Sequence, residues 1–463
     1  MYVFKRNINN LFIIFVLSHL LIWTLVPTIS NQNLPLDTIE ALAWGSNLDW
    51  GFNKHPPASA FFSEIFFRMF GPQDWAYYLL SQIFVVSSFY FVFKFANEIF
   101  KNVTLSLISV LLLESIFFYN FTTPEFNVNV CQLPFWSMSV YYSWRIFSDK
   151  KIKFKDCLLL GIVSAIGFLS KYLFLFLLIS IVLLFFYYIF YKKKIKFDFK
   201  YIIILEIFIV LLIPHLIWLN DNEYKTISYG LMRTGFENSS SFDHIRFPFI
   251  FIMKQIGLLI PFLFLVFLLI KKLRFIFNFD DRKFIFLVFI NFIPIFLMFA
   301  TSIITGSRIR TMWMTPFYLF FGVFFIYVLQ SQINLKKIKT FLYSFLLLFF
   351  LSPSFYYYIS ISKTDKRTDY EGKEIATLIE RRWDKNFYNS IMYVVGDEWY
   401  AGNLSYHISS RPTWYLDLKD KTNELNPTGG IIYVGNPEIL KEICPGDFGK
   451  IDQHGYCMIG TKY

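Results

Sequence analysis

Apolar residues gather in long blocks, separated by short breaks that are polar or basic. Eleven blocks approach the roughly 20 residues a helix needs to cross a bilayer. They are 11–28, 75–93, 103–119, 128–144, 157–170, 172–191, 201–219, 248–270, 284–304, 311–330 and 340–361. The fifth and sixth are short and are split by Lys171. Lys5 and Arg6 precede the first block as they would a signal peptide, but no small-residue cleavage site follows, so it reads as an anchor. Phe runs such as 341–350 leave no polar face to put in water. The pattern predicts a polytopic α-helical membrane protein of about eleven or more spans.

From residue 362 onward the pattern changes: the Phe runs stop and Gly, Pro, Asn and Asp punctuate the chain. Helices are expected at 371–383 and 401–409 and in a short stretch through Leu440, with strands at 390–395, 431–434 and near 456–459. Alternating helices and strands predict a small α/β domain over 362–463, outside the membrane domain of 1–361.

The basic breaks decide orientation. Lys5/Arg6, Lys94/Lys101, Lys150/Lys151/Lys153/Lys155, Lys192–Lys194/Lys196, Lys271/Lys272/Arg274 and Lys336/Lys337/Lys339 fall on alternate loops. By the positive-inside rule that side is cytoplasmic. The loops 29–74, 220–247 and 302–310, and the tail from 362, then face the periplasmic side of an inner membrane. The net charge of +11 is thereby a membrane signal and not a nucleic-acid one. Only 17% of the residues are charged, against about a quarter in soluble proteins, which excludes a cytosolic enzyme. A mean hydropathy of +0.47 is modest for a pure bundle and leaves room for the polar tail.

Four Cys with no CxxC and no zinc spacing exclude a disulfide framework or a zinc module. Cys444 and Cys457 lie close together in the tail, and an oxidising compartment would favour their pairing. There is no GxxxxGK[ST], no GxGxxG opening a βαβ unit and no HExxH, so a sugar nucleotide is not the expected donor.

The first external loop carries the chemistry. Asp37 and Glu40 stand three apart, on one face of a helix starting near Asp37, and Lys54-His55-Pro56-Pro57 ends the segment because two prolines cannot continue a helix. Carboxylate, imidazole and ammonium at a membrane surface suit a phosphate-bearing or metal-bound substrate. The competing reading is helix capping by Asp37 and a solvated Glu40. Lys171 between two apolar blocks either snorkels or contacts phosphate. Arg308 and Arg310 lie at an external boundary, as anchors or as a phosphate grip.

The string Leu48-Asp-Trp-Gly-Phe-Asn-Lys-His-Pro-Pro57, preceded by Asp37, resembles the first-loop motif of the polyprenyl-phosphate-sugar glycosyltransferases of GT-C type. These include the protein O-mannosyltransferases, the lipid A aminoarabinose transferases and the lipopolysaccharide core galacturonosyltransferases. Where that motif begins Asp-Glu, this chain has Asp37-Thr38. Three further stretches are similar, in order: Phe126–Trp136, Ser170-Lys171-Tyr172, and Pro214–Asn222 followed by Tyr229 and Arg233. Of the second acidic residue that family members often carry, Glu125 is the nearest candidate, with Asn127 or Asn129 at the position that would align.

The resemblance implies a transferase taking a sugar from a polyprenyl-phosphate carrier to lipid A, a lipopolysaccharide core or another lipid or glycan acceptor. Asp37 and Glu40 would be the catalytic carboxylates. Lys54, His55, Lys171, Tyr172, Arg233, Arg308 and Arg310 would bind substrate, and His55 is also a candidate ligand for a divalent metal. A lipid-linked oligosaccharide flippase or polymerase, a protein O-glycosyltransferase, or a non-enzymatic binding protein with a sensory tail would share the spans.

Overall fold

The computed structural model describes residues 2–149, 151–235, 240–275, 277–417, 426, 428–451 and 454–463. Lys150 of the third basic cluster lies outside the described residues. Each of the eleven apolar blocks is helical. Seven helices are long and apolar enough to span: Asn7–Ser30, Asp74–Phe100, Tyr172–Tyr191, Lys200–Asp221, Asp243–Leu269, Arg282–Thr305 and Ile338–Ser362. A further apolar pair of helices, Thr311–Tyr318 and Phe321–Gln332, is bent by 52° at a short break, as a broken span or a re-entrant loop. The other three blocks, Val103–Ser115, Leu133–Ser148 and Phe154–Ser170, are helical but shorter than a full span. The protein is a polytopic helical membrane protein with a small strand-containing C-terminal part.

Helix Asp74–Phe100 is the central pillar, packed between Tyr2–Ser30, Leu133–Ser148 and Val103–Leu111. Aromatic rings fill the layers between these helices. Phe12 stacks on Phe93 at 4.1 Å, and Phe95 meets Trp144, Phe286 and Phe320 edge-on or tilted. A Cβ on Gly322 would stand 2.0 Å from the Ser109 carbonyl oxygen, so only glycine lets these two backbones approach. Prolines sit inside several spans, at 27, 214, 248, 261, 294 and 353, a frequency that fits helices whose neighbours can satisfy the freed carbonyls.

The tail forms one five-stranded sheet. Its strands are β1 (Ile391–Val395), β2 (Thr413–Tyr415), β3 (Gly430–Gly435), β4 (Asp447–Ile451) and β5 (His454–Ile459), in the order β2-β1-β3-β5-β4. β1 is parallel to β2 and β3, whereas β5 is antiparallel to β3 and β4. Helices Gly372–Asn386 and Tyr400–His407 cover it. A disulfide joins Cys444 to Cys457, tying the entry of β4 to the middle of β5. Strands β2 and β4 have no counterpart in the sequence reading. β2 is three residues long behind a proline, and β4 is an edge strand containing a glycine and two charges, where β propensity is weak.

This sheet domain is clamped to the first loop. The Arg411 guanidinium donates to the Leu42 carbonyl at 2.6 Å and to Glu64 at 3.1 Å, and lies 4.0 Å over the Phe67 ring. Tyr406 donates to Asp74 at 2.7 Å, and Asn33 donates to Asn403 at 2.8 Å. The Trp414 N–H reaches Ser46 Oγ at 2.8 Å. Breaking one half of a buried ion pair costs about 3–5 kcal/mol. Arg411→Ala is therefore expected to loosen the tail from helices Leu36–Gly45 and Ala58–Phe70. Limited proteolysis within 362–372 should accelerate at least tenfold in the purified variant, and an unchanged cleavage rate would mean the clamp lies elsewhere.

Candidate active site

Helix Leu36–Gly45 forms where the sequence places it, with Asp37 in its first turn. It stops at Gly45, well before the prolines. Ser46 Oγ donates to the Ala43 carbonyl at 2.7 Å, and Leu48 turns into the left-handed region. Pro56 and Pro57 instead introduce the next helix, Ala58–Phe70, where a missing N–H costs nothing. The residues between the two helices form the loop that carries Lys54 and His55.

Pro35 precedes the helix and offers no side-chain cap, so the first-turn N–H groups need an acceptor from elsewhere. Glu125 supplies it: its Oε1 accepts the Asp37 N–H at 3.0 Å. Thr38, standing where the related motif has Glu, donates to the Phe126 carbonyl at 3.2 Å. The chain around 125–126 thus lies across the helix N-terminus and puts a second carboxyl beside Asp37. Burial raises the pKa of both groups; the nearby cations partly offset this at Asp37, and Glu125 is pushed up to about 8.

The cations whose fields reach Asp37 are Lys171, Lys54, Arg367 and Arg233. Lys54 is held between two acids, Glu40 at 2.7 Å and Glu398 at 3.2 Å. Burial works against its charge, yet these two carboxylates keep its pKa above the ordinary value. Burial moves Glu40 up to about 7 despite Lys54. Lys171 is extended between helix Phe154–Ser170 and the turn Tyr172–Phe174, which aims its side chain inward. Its ammonium bonds Asn129 Oδ1 and lies 5.5 Å over the Trp313 ring. Burial lowers it to about 7, with Asp37 opposing.

His55 is bounded by the rings of Trp44 and Tyr229. Burial, then the charges of Lys171, Lys54 and Arg233, lower it to about 3, so the imidazole is neutral. Aromatic faces and cations make a poor setting for a divalent ion. Among the described residues no three His, Cys, Asp or Glu side chains are grouped to hold a metal. The expectation that His55 ligates one therefore does not fit the site.

Tyr172 belongs to a neighbouring chain of bonds. His215 Nδ1 bonds the Trp50 carbonyl at 2.6 Å, so that nitrogen carries the proton, and Nε2 accepts from the Tyr172 hydroxyl at 2.8 Å. His215 is thus a strut between its span and the first loop. Arg233 extends past the Tyr229 ring at 6.0 Å. The Arg308 N–H donates to the Thr234 carbonyl at 3.1 Å, joining the 306–310 turn to the helix that carries Arg233. Arg310 is lowered by partial burial and by the charges of Arg233 and Arg308, which marks a three-arginine group on this rim.

Asp37, Glu40, Lys54, His55 and Lys171 thus share one electrostatic site, with Arg233 and Arg310 on its rim. Tyr172 faces His215, and Arg308 is exposed. Four further participants complete the site: Glu125 and Asn129, which the sequence offered only as candidates for the second acidic position, and Arg367 and Glu398, which it did not single out. The first two fall in the stretch around 125–129 that the motif comparison singled out. Glu398 and Arg367 come from the tail and have no local signature.

Three comparisons bear on this geometry. Residues 54–218 match the family model of dolichyl-phosphate-mannose-protein mannosyltransferase. The crystal structure of ArnT from Cupriavidus metallidurans in the apo state superposes with a TM-score of 0.60 at 10% identity. That superposition covers 97% of this chain and 98% of ArnT. The chain shares the fold of that structure. No curated protein sequence matches the chain.

The Glu125 proton has a measurable consequence. With its folded-state pKa raised from 4.5 to about 8, the native protein binds a proton that the unfolded chain releases. That stabilisation is fully present below pH 4.5 and is lost as pH rises through about 8. Thermal unfolding of the detergent-solubilised protein should show Tm falling over this window, and Glu125→Gln should flatten the slope. Identical slopes in parent and variant would remove Glu125 as the source.

Proposed function

We propose that the chain is a membrane glycosyltransferase. It takes a sugar from a polyprenyl-phosphate carrier and passes it to lipid A, a lipopolysaccharide core or a related acceptor at the periplasmic face of the inner membrane. The observation that carries this reading is a half-buried carboxylate, Asp37, at the helix N-terminus beside Glu125, in the combined field of Lys171, Lys54, Arg367 and Arg233. A carboxylate raised toward neutrality is matched to removing a proton from a hydroxyl, and a surrounding cation cluster is matched to a departing phosphate.

In the proposed reaction Asp37 removes the proton of the acceptor hydroxyl as its oxygen attacks the anomeric carbon. The bond from that carbon to the phosphate oxygen breaks, and the lipid phosphate leaves with the electron pair. Lys171 and the arginines of the rim neutralise it. Glu125, protonated, stays on the helix N-terminus and keeps Asp37 in position. His55, neutral, offers a hydrogen bond without adding charge. Where the acceptor is itself a phosphate oxygen no base is needed, and Asp37 orients the nucleophile.

The docking of the tail on the first loop supports assigning both to one face of the membrane, and the alternating basic loops support the periplasmic one. Comparison of lipid A and glycans by mass spectrometry, with and without the gene, identifies the acceptor. A missing sugar is expected on one of them.

Asp37→Asn keeps the shape of the side chain and removes the base. Transfer by the purified variant should fall by about 10²–10⁴-fold with carrier binding retained. Parental turnover would refute the role.

The pH profile of kcat/KM should be bell-shaped. It rises as Asp37 loses its proton and falls near pH 7 as Lys171 loses its charge. Lys171→Arg keeps the charge at all accessible pH, so the falling limb should move beyond pH 9. A falling limb that stays put assigns that ionisation to another group.

A further inference from the structure

A large cavity lies away from Asp37. It is a groove of about 1600 Å³ between the first half of helix Tyr2–Ser30, the last part of Asp74–Phe100 and the starts of Val103–Leu111 and Ile338–Ser362. Helix Asp74–Phe100 begins at the tail, where Asp74 meets Tyr406, and runs about 40 Å at 1.5 Å per residue. The groove lines its far portion, so it opens at the end of the bundle opposite the active site. It exceeds the size of an ordinary small-molecule pocket.

Its walls have two characters. Phe12, Val16, Val86 and Ile338 make an apolar trough, and Ile13 and Tyr90 at its side are about half exposed, as residues facing acyl chains would be. At the mouth stand Lys94 and Lys101, with the amides of Asn9, Asn97 and Gln330. Lys94 has no ion pair among the described residues. Its ammonium lies 5.2 Å from the Tyr90 ring, 5.7 Å from Phe91 and 5.1 Å from Tyr141, an aromatic cup that fixes the charge without neutralising it. Lys101 takes the left-handed conformation that ends the helix, and it acts on Glu98 through its field without a salt bridge among the described residues. The one carboxylate in the lining, Glu98, is engaged by Tyr141, Arg145 and Lys101. Two ammonium groups above an apolar trough complement an anionic head on acyl chains.

We propose that this groove binds an anionic phospholipid of the bilayer, with its phosphate between Lys94 and Lys101 and its chains in the trough. Basic pockets between spans take such headgroups, each lysine contributing about 1 kcal/mol, or roughly fivefold in affinity. The site is separate from Asp37 and does not depend on the reaction proposed there.

The test uses the full-length protein in phosphatidylcholine nanodiscs doped with phosphatidylglycerol, with the co-purifying lipid counted by native mass spectrometry. The parent should retain phosphatidylglycerol in preference to phosphatidylcholine. Lys94→Gln and Lys101→Asn should each reduce that preference about fivefold; Asn is chosen at 101 because it tolerates the left-handed backbone. Lys94→Arg should preserve the preference, and Lys272→Gln, a basic residue outside the groove, should leave it unchanged. Equal retention of both lipids by the parent overturns the proposal. So does retention of a polyprenyl phosphate in place of phosphatidylglycerol, or an undiminished preference in folded Lys94→Gln and Lys101→Asn proteins.

Discussion

A ten-residue helix, Leu36–Gly45, lies between the bundle and the tail with residues 38–45 all buried. A helix this short is marginal in isolation, so its position depends on what covers it. Its N-terminus needs an acceptor and receives Glu125. Its C-terminal turn needs donors and receives Arg411 at the Leu42 carbonyl. One flank packs so closely on helix Tyr400–His407 that a Cβ on Gly402 would stand 3.1 Å from Ile39. The bundle, the 125–126 crossing and the tail therefore meet at this one element, and the position of Asp37 follows from all three.

That arrangement explains why the charges of the site can be buried at all. An isolated carboxylate in a dry setting would take up a proton or move to water. Here each charge has a partner: Glu125 accepts the Asp37 N–H, Lys54 lies between Glu40 and Glu398, and Lys171 rests against Asn129 and Trp313. Burial wins over the cations at Asp37 and Glu40, and at Glu125 burial and then the charge of Asp37 push the same way, so all three move upward. At Lys171 burial also wins and pushes downward. The result is that Glu40, Glu125 and Lys171 stand near their titration points around neutrality beside an Asp37 whose pKa is raised, a setting suited to moving protons and to holding a phosphate that must later leave.

The bundle was legible in the sequence because a run of apolar residues carries its own signal. All eleven blocks are helical, including the two divided at Lys171. What hydropathy could not show was how far each helix extends: the blocks at 103–119 and 128–144 break into short helical pieces where their ends turn into the site. The start of helix 36–45 was legible from the acidic first turn, but its end was not. Leu48 is left-handed, its N–H returns to the Trp44 carbonyl at 3.3 Å, and Asn47 beside it donates to the Trp414 carbonyl of the tail at 3.4 Å. Glu125 lay in view beside the Asn127-Val-Asn129 segment, yet only the fold brings it to Asp37. β2 and β4 are edge strands held by their neighbours, so their own residues advertise little.

Glu398 shows the same dependence at the level of chemistry. It follows β1 in a turn opened by Gly396, whose φ of +148° favours glycine and whose added Cβ would stand 2.4 Å from the Val434 carbonyl oxygen. Asp397 accepts the N–H groups of Trp399 and Tyr400 and so fixes the turn, while Asn53 donates to Glu398 at 3.1 Å. The carboxylate presented in this way shares Lys54 with Glu40. Lys54 is also one of the charges that lower the pKa of Asp37. Were the tail to swing away, Lys54 would lose one of its two anchors and the electrostatic balance around Asp37 would shift with it. The sheet domain is therefore part of the electrostatics of the site and not only a cover for it.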